Sequence, residues 1–186
     1  MGCTALTIGH SIDCRNSAGG VKAIYLAPFN TCPLVVANSV VTDMGTGSQD
    51  ALLYKYEMKR GLGSITETIA GNTEAGTIFY TTTVNLKFHK LAATMQQEMK
   101  KVAAQRLIVF AELNQTAAVD GHNLIVCLGH HNGMELNSGT NASGAALGDM
   151  NGYDWTFEGM EPYPFSTVAD YTTVPFDNTA FDVAVV

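Results

Sequence analysis

Positive charge is missing from the second half of this chain. All ten Lys and Arg residues lie at or before Arg106, whereas seven acidic residues precede that point and ten follow it. The first 106 residues therefore carry a formal charge of +3 and the remainder −10, for a net charge of −7. A strongly acidic half repels phosphate and attracts basic surfaces, so the split favours contacts between copies of the chain.

Charged residues are scarce overall, and so are long apolar runs. Only 15% of residues are charged, against about 25% in typical soluble domains, while 46% are hydrophobic. No apolar run approaches the ~20 residues that span a bilayer, and the N-terminus lacks the features of a secretory signal, so we expect no membrane anchor and no export. Low charge with abundant Gly and Thr favours an assembling β protein, and 186 residues predict a single domain over 1–186.

The cysteine spacing excludes two kinds of stabilising site. Cys3, Cys14, Cys32 and Cys127 form no Cys-x-x-Cys pair. The spacing therefore fits neither a zinc site nor a dense disulfide framework, and it predicts reduced, mostly buried thiols.

Catalytic motifs are absent as well. The chain has no Gly-x-Ser-x-Gly and no Gly-x-x-x-x-Gly-Lys-Ser/Thr, so we expect neither an enzyme nor a bound cofactor. Asp149, Asp154, Glu158 and Glu161 offer an acid–base pair in principle. Acids that flank Trp155 along a β segment are more often the hydrated face of a strand, and we favour that interpretation.

Histidines are the remaining candidates for a metal site. His122, His130 and His131 lie within ten residues, with Asp120 and Glu135 close by. Ligands must converge on the ion, whereas adjacent side chains on a strand point to opposite sides. We expect polar loop histidines rather than a metal centre.

Sequence-specific DNA binding is not expected of so acidic a chain, whose isoelectric point is about 5.0. The only cluster of basic residues lies around a predicted helix and consists of Lys87, Lys90, Lys100, Lys101 and Arg106.

Most of the chain has β patterns. Runs of β-branched, aromatic and alternating apolar residues predict strands at 21–29, 34–41, 54–58, 107–113, 124–129 and 153–157. Glycine-, asparagine- and serine-rich residues 130–152 predict loops with one short strand near 134–136.

The longest β signal is a hairpin of two Thr-rich strands, 64–70 and 77–87, around a turn at 71–76. Eleven residues at ~3.3 Å each give a second strand of about 36 Å. Such a ribbon has one hydrated face and edges that invite pairing, so we predict contacts between subunits along it. The residues predicted to make them are Ile65, Thr66, Thr68, Ile78, Tyr80, Thr82 and Val84.

One helix is predicted, over Lys90–Gln105. Leu91, Met95, Met99 and Val102 form a single apolar stripe, which indicates core packing. The first 20 residues are predicted to form an arm, and the proline-containing residues 161–186 a second, extended arm.

Several phrases of the sequence resemble a known family. Residues 14–26, with the step Gly19-Gly20-Val21-Lys22, resemble the start of many phage virion proteins. The order that follows is similar: a long hairpin, one helix, the strands 107–113 and 124–129, and Gly148-Asp-Met-Asn-Gly-Tyr153 before another strand. Over residues 12–162 the chain resembles bacteriophage tail tube proteins.

That resemblance implies a mainly β fold with one helix: a β-sandwich or partial barrel with a long hairpin, a flanking α-helix and extended termini. It also implies a structural virion protein of the tail, assembled in the cytoplasm of a bacterial host. Rings, commonly of six copies, would stack head to tail beside other tail and virion proteins. Viral DNA would pass through the lumen without specific binding.

The charge split and this resemblance together predict charged contacts between subunits. The residues expected to make them are the basic Lys87, Lys90 and Lys100 and the acidic Asp149 and Glu161.

Two other functions fit the sequence. A head–tail adaptor, tail terminator or capsid decoration protein would form a capped ring or a surface array. A carbohydrate-binding β-sandwich would use Tyr153, Trp155 and Tyr163 as a stacking platform.

Overall fold

Twelve strands and one helix make up the computed structural model, which describes residues 9–10, 18–45, 51–117 and 121–186. Most of the predicted N-terminal arm and of the loop at 45–50 lies outside these residues. The elements are β1 Val21–Pro28, β2 Leu34–Ala37, β3 Val40–Met44, β4 Ala51–Glu57, β5 Gly63–Asn72, β6 Thr77–His89, α1 Ala93–Ala103, β7 Leu107–Thr116, β8 Asn123–Leu128, β9 Glu135–Ala142, β10 Gly152–Glu161, β11 Ser166–Val168 and β12 Val183–Val185.

The strands form two sheets that pack as a sandwich. The larger sheet has eight strands in the order β12-β4-β1-β7-β8-β11-β3-β2, and the smaller has four in the order β5-β6-β10-β9. A single bridge, between Met44 and Phe181, links β3 to the segment before β12, so the larger sheet curls without closing into a barrel. The predicted fold class, mainly β with one helix, a long hairpin and a sandwich, is confirmed.

The central strands of the larger sheet are covered on both faces. Six of the eight β1 residues are buried, and so are the first six residues of β7. A strand buried on both sides favours apolar residues at successive positions, which explains the continuous apolar runs 23–29 and 107–111 within these strands.

Two hydrophobic cores lie on opposite faces of this sheet. The first lies between the sheets and includes Ile24, Val84, Leu86 and Trp155. The second includes Tyr25, Leu53, Phe110 and the free thiols Cys32 and Cys127, and residues of the C-terminal region pack into it. The two cysteines that the structure describes are thus buried, as expected.

Helix α1 covers one part of the first core. Val102 is buried and Leu91, Met95 and Met99 pack partly buried against the core, so the predicted apolar stripe is confirmed. The helix is shorter than the predicted range of 90–105. The Tyr153 hydroxyl accepts a hydrogen bond from the Ala92 N–H and donates one to the Ala92 C=O, both at 3.0 Å, and so holds the chain where the helix begins.

Two predicted segments differ from the structure in detail. Residues 34–41, predicted as one strand, contain the β2–β3 turn, because Asn38 and Ser39 adopt positive φ values of 54° and 63°. The short strand expected near 134–136 extends to Ala142 as β9, since it pairs with β10 along most of its length.

Residues 161–186 are extended, as predicted for an arm, but they lie against the body of the protein. They supply β11 and β12 to the larger sheet, and Phe176 and Phe181 are buried in the second core. The Phe176 ring meets the rings of Tyr25 and Phe110 edge-on at 4.8 and 5.4 Å.

Candidate functional site: an assembly surface

The candidate functional surface is the outer face of the four-stranded sheet, with its two edge strands. Side chains alternate between faces along β6: Val84 and Leu86 are fully buried, whereas Thr83 and Asn85 are partly exposed on the other side. The outward rows across β5, β6 and β10 are Ser64–Asn85–Thr156, Thr66–Thr83–Glu158 and Thr68–Thr81–Met160. The ribbon therefore has one hydrated, hydroxyl-rich face, as its Thr content predicts.

The outer face has more acidic than basic side chains. Its lysine, Lys87, pairs with Asp154 on the neighbouring strand, with Nζ and Oδ2 2.9 Å apart. Glu158 accepts a hydrogen bond of 2.6 Å from the Asn137 amide and lies opposite Glu135 in the register. Two carboxylates on this face are thus left without a basic partner among the described residues.

Both edges of the four-stranded sheet are free within the described residues. Of the described strands, β5 pairs only with β6, and β9 only with β10. Neither strand contains Lys or Pro, the residues with which proteins commonly prevent edge pairing. The outer backbone groups of these ten and eight residues are therefore available to another chain.

The distal end of the β5–β6 hairpin extends past its neighbours. Strand β10 ends opposite Tyr80, so the outermost residues of the hairpin pair only with each other. Ile69 and Ile78 are 64% and 60% exposed there, and Phe79 is 39% exposed. The Asn72 Oδ1 accepts backbone hydrogen bonds of 3.0 and 3.2 Å from two turn residues and so fixes the turn.

The seven residues predicted to make ribbon contacts divide between the two faces. Thr66, Thr68 and Ile78 are exposed, and Ile65 and Tyr80 are half-buried. Thr82 and Val84, at 2% and 0% exposure, face the interior of the same chain. The prediction from the sequence did not distinguish the two faces of the hairpin, because Thr residues occur on both.

The predicted charged contacts also divide. Lys90 and Lys100 are exposed and have no ion pair among the described residues, whereas Lys87 is already paired within its own chain. Lys22, in the basic half, pairs with Glu112, in the acidic half, at 2.7 Å. Part of the charge split is therefore neutralised inside the fold.

The two acidic residues predicted to contact another subunit accept hydrogen bonds from loops of their own chain. Asp149 accepts hydrogen bonds of 2.8 and 2.9 Å from the N–H groups of Ala146 and Ala145, which lower the pKa of its carboxyl group. Glu161 is 6% exposed and accepts hydrogen bonds from the His131 and Asn132 N–H groups, at 3.1 and 2.9 Å. Glu161 thus stabilises the turn after β8.

A buried polar network was not predicted from the sequence. The Glu112 carboxylate, in a residue that is 2% exposed, accepts hydrogen bonds from Lys22 at 2.7 Å, Asn123 at 2.6 Å and the Tyr25 hydroxyl at 3.2 Å. Burial, and then the Glu112 charge, raise the pKa of Tyr25. Lys22 and Glu112 are 90 positions apart, so no local pattern indicates their contact.

The histidines do not converge. The described residues contain no group of three His, Cys, Asp or Glu side chains that could hold a metal ion, and Asp120 lies outside them. His122 Nδ1 lies 2.7 Å from Asp170 Oδ1, and its ring stacks on Tyr171 with centroids 4.2 Å apart. Burial, and then the neighbouring His131, lower the pKa of His130.

The predicted carbohydrate platform does not exist as proposed. Tyr153 and Trp155 are fully buried in the first core, and of the three aromatic residues only Tyr163 is exposed. The alternation along β10 directs both buried rings inward.

No helix among the described residues is long and apolar enough to cross a membrane. Comparison with family models, with curated proteins and with solved structures found no match. The resemblance to tail tube proteins stays a prediction, and function has to be inferred from the geometry of the sheet.

Proposed function

We propose that this chain is a structural virion protein that assembles through the edges of its four-stranded sheet into rings, which stack as a phage tail tube for genome delivery. One observation carries the proposal. A regular sheet with a hydrated outer face has two edge strands, β5 and β9, that lack Lys and Pro and have no outer neighbour in the described part of the chain. Pairing each β5 with the β9 of a neighbour leaves no free edge in a closed ring.

The strand directions suit such a ring. Neighbouring strands of the four-stranded sheet are all antiparallel, so β5 and β9 run in opposite directions. Rotation about a ring axis keeps each strand's direction along that axis. Every β9–β5 junction between copies is then antiparallel too, whatever the number of copies.

The dimensions also suit a DNA conduit. Six copies of this four-stranded sheet, the number the resemblance implies, make a barrel of 24 strands. With strands about 4.8 Å apart and tilted by about 40°, the backbone cylinder is roughly 48 Å across, which is wide enough for duplex DNA.

The chemistry of the outer face supports its assignment to the lumen. Basic groups in the lumen would bind phosphates and retain the genome. The outer face has Ser, Thr and Asn side chains, a lysine paired with Asp154, and acids that have no ion pair among the described residues, with Arg106 bordering it beside Glu135 and Glu158. Such a surface lets DNA slide without specific binding.

Cross-linking between edge strands tests the junction directly. Thr66→Cys lies on β5 and Ser138→Cys lies on β9. A mixture of the two single variants, treated with a short bismaleimide, is expected to give dimers that contain one copy of each. Each variant alone and the wild type, whose own cysteines provide the background, are the controls. A mixture that gives no more dimer than these controls would overturn the β5–β9 junction.

Electron microscopy of the purified protein at high concentration distinguishes a tube from the other virion functions. Open tubes are the expected result. Isolated, capped rings or flat surface arrays would instead indicate an adaptor, a tail terminator or a capsid decoration protein.

A further inference from the structure

A small cleft opens beside the distal half of the four-stranded sheet. Its volume is about 190 Å³, and it lies between β5, β6, the turn after β8 and the segment that follows β10. Tyr163 and Phe165, 43% and 40% exposed, form apolar walls, and Glu67 and Glu161 contribute carboxylates. Among the residues that the structure describes, no Lys or Arg lines the cleft.

One carboxylate oxygen of Glu67 accepts hydrogen bonds from its own chain. Its Oε1 accepts hydrogen bonds from the Phe165 N–H at 2.9 Å and the Thr82 hydroxyl at 3.4 Å. No hydrogen bond to Oε2 is found within the described residues. His130 and His131 also line the cleft, and burial lowers the pKa of His130, which disfavours its cationic form beside the two carboxylates. Aromatic walls beside a carboxylate suit the apolar stem and cationic head of a Lys or Arg side chain.

Two exposed cations lie at the opposite end of the same strands. Lys59 and Arg60 are exposed in the connection that leads into β5, and neither has an ion pair among the described residues. The register puts Gly63, which begins β5, opposite Leu86, whereas Glu67 lies opposite Thr82, further along towards the hairpin turn. The sheet is therefore basic where β5 begins and acidic near the cleft.

We propose that the Lys59–Arg60 connection of one copy docks into the cleft of a second copy stacked above it. This inference rests on the proposed tube. In a barrel the two ends of every strand lie at opposite rims, so head-to-tail stacking brings the basic end of one ring to the acidic end of the next. Charge complementarity then sets the orientation in which rings stack.

Charge variants separate stacking from ring formation. Arg60→Glu combined with Lys59→Glu, or Glu67→Gln alone, is expected to leave rings intact and to lower the fraction of rings in tubes about tenfold. Glu67→Gln removes the charge but keeps an oxygen that can accept the two hydrogen bonds. Asp43→Asn, a change of equal charge at an exposed site on β3, is the control and should stack normally. Electron microscopy and sedimentation velocity measure the two populations.

Reciprocal exchange tests whether the two sites meet. Glu67→Arg is expected to abolish stacking, and mixing it with the Lys59→Glu/Arg60→Glu variant should restore contacts between unlike copies. Variants that stack like the wild type would overturn this inference while leaving the rings, and so the proposed function, in place.

If the wild-type protein forms no rings, both proposals are overturned. If only the variants fail to form rings, wild-type tubes can be treated with a carbodiimide instead. This reagent joins amines to carboxylates with which they are in contact. A cross-linked peptide pair containing Lys59 and Glu67 is expected, and its absence would overturn the docking.

Discussion

The two sheets of this protein differ in how far their faces are buried and their edges are paired. The eight-stranded sheet has apolar cores on both faces, and the Met44–Phe181 bridge draws its β3 side towards β12. The four-stranded sheet is covered on one face only, and both its edges are free within the described residues. The larger sheet forms the body of one chain. The edge strands of the smaller sheet leave backbone hydrogen-bonding groups with which the edge strands of another copy can pair.

Two adjacent residues on β10 test which face of the four-stranded sheet is buried. Trp155 is fully buried, and Thr156 faces outward, where its hydroxyl bonds to Asn85 Oδ1 at 2.9 Å. We expect Trp155→Ala to lower the free energy of unfolding by about 3–5 kcal/mol and Thr156→Ala by about 1 kcal/mol. Urea denaturation measures both. Equal losses would contradict the assignment of inner and outer faces.

The buried polar network of the larger sheet gives the next largest effect. Glu112→Gln is expected to lower the free energy of unfolding by about 1–3 kcal/mol, because Lys22 and the Tyr25 hydroxyl lose a charged acceptor. Glu158→Gln, on the hydrated face of the smaller sheet, is the control and should change it by less than about 0.5 kcal/mol. Similar values for the two variants would mean that the network contributes nothing beyond a surface interaction.

The second core predicts a loss of stability at alkaline pH. Burial raises the pKa of the Cys32 thiol from 9.0 to about 11, so the folded state keeps the proton longer than the unfolded state does. The resulting stabilisation is complete below about pH 9 and is lost as the pH rises towards 11.

Urea denaturation across this range should show a shallower pH dependence for Cys32→Ala than for the wild type. Cys127 and Tyr25 also have raised pKa values and act in the same direction, so part of the dependence is expected to remain. Identical slopes for variant and wild type would exclude Cys32 as a source.

The smallest effect on stability is expected on the outer face. Thr81 lies opposite Thr68 and Met160 on the outer face, where Glu135 and Glu158 are also found, so Thr81→Lys adds a cation to the face assigned to the lumen. We expect unfolding and tube assembly to stay unchanged and genome ejection to slow. Thr81→Gln is the uncharged control, and ejection as fast in the Lys variant as in this control would contradict the lumen assignment.

Much of the fold follows from local patterns. The strands β1, β5, β6, β7, β8 and β10 and the apolar stripe of α1 were predicted because alternation and continuous apolar runs depend on burial alone. Strand β9 was missed over most of its length, since Asn and Ser carry no β signal. It forms because β10 pairs with it, and Gly139 admits the Trp155 side chain, whose Cδ1 would lie 3.2 Å from any Cβ there.

The candidate site was only partly predictable. The hairpin and its hydrated face follow from Thr content, but the face on which each residue lies depends on register, so Thr82 and Val84 were grouped with outward residues. The buried role of Glu161 depends on the turn after β8, which has no sequence signature. Pairing of Lys22 with Glu112 requires β1 and β7 to be adjacent, and their adjacency follows from topology.

The Met44–Phe181 bridge has a consequence for the order of events during synthesis. Strand β4 gains its second neighbour only when residues 183–185 arrive, and Phe181 fills the second core at the same moment. Because residues 183–185 follow the β5–β6 hairpin in the chain, the hairpin leaves the ribosome before the body of the protein can be completed. A nascent chain thus exposes the β5 edge before its body has closed, and neighbouring ribosomes on one messenger would hold such edges close together.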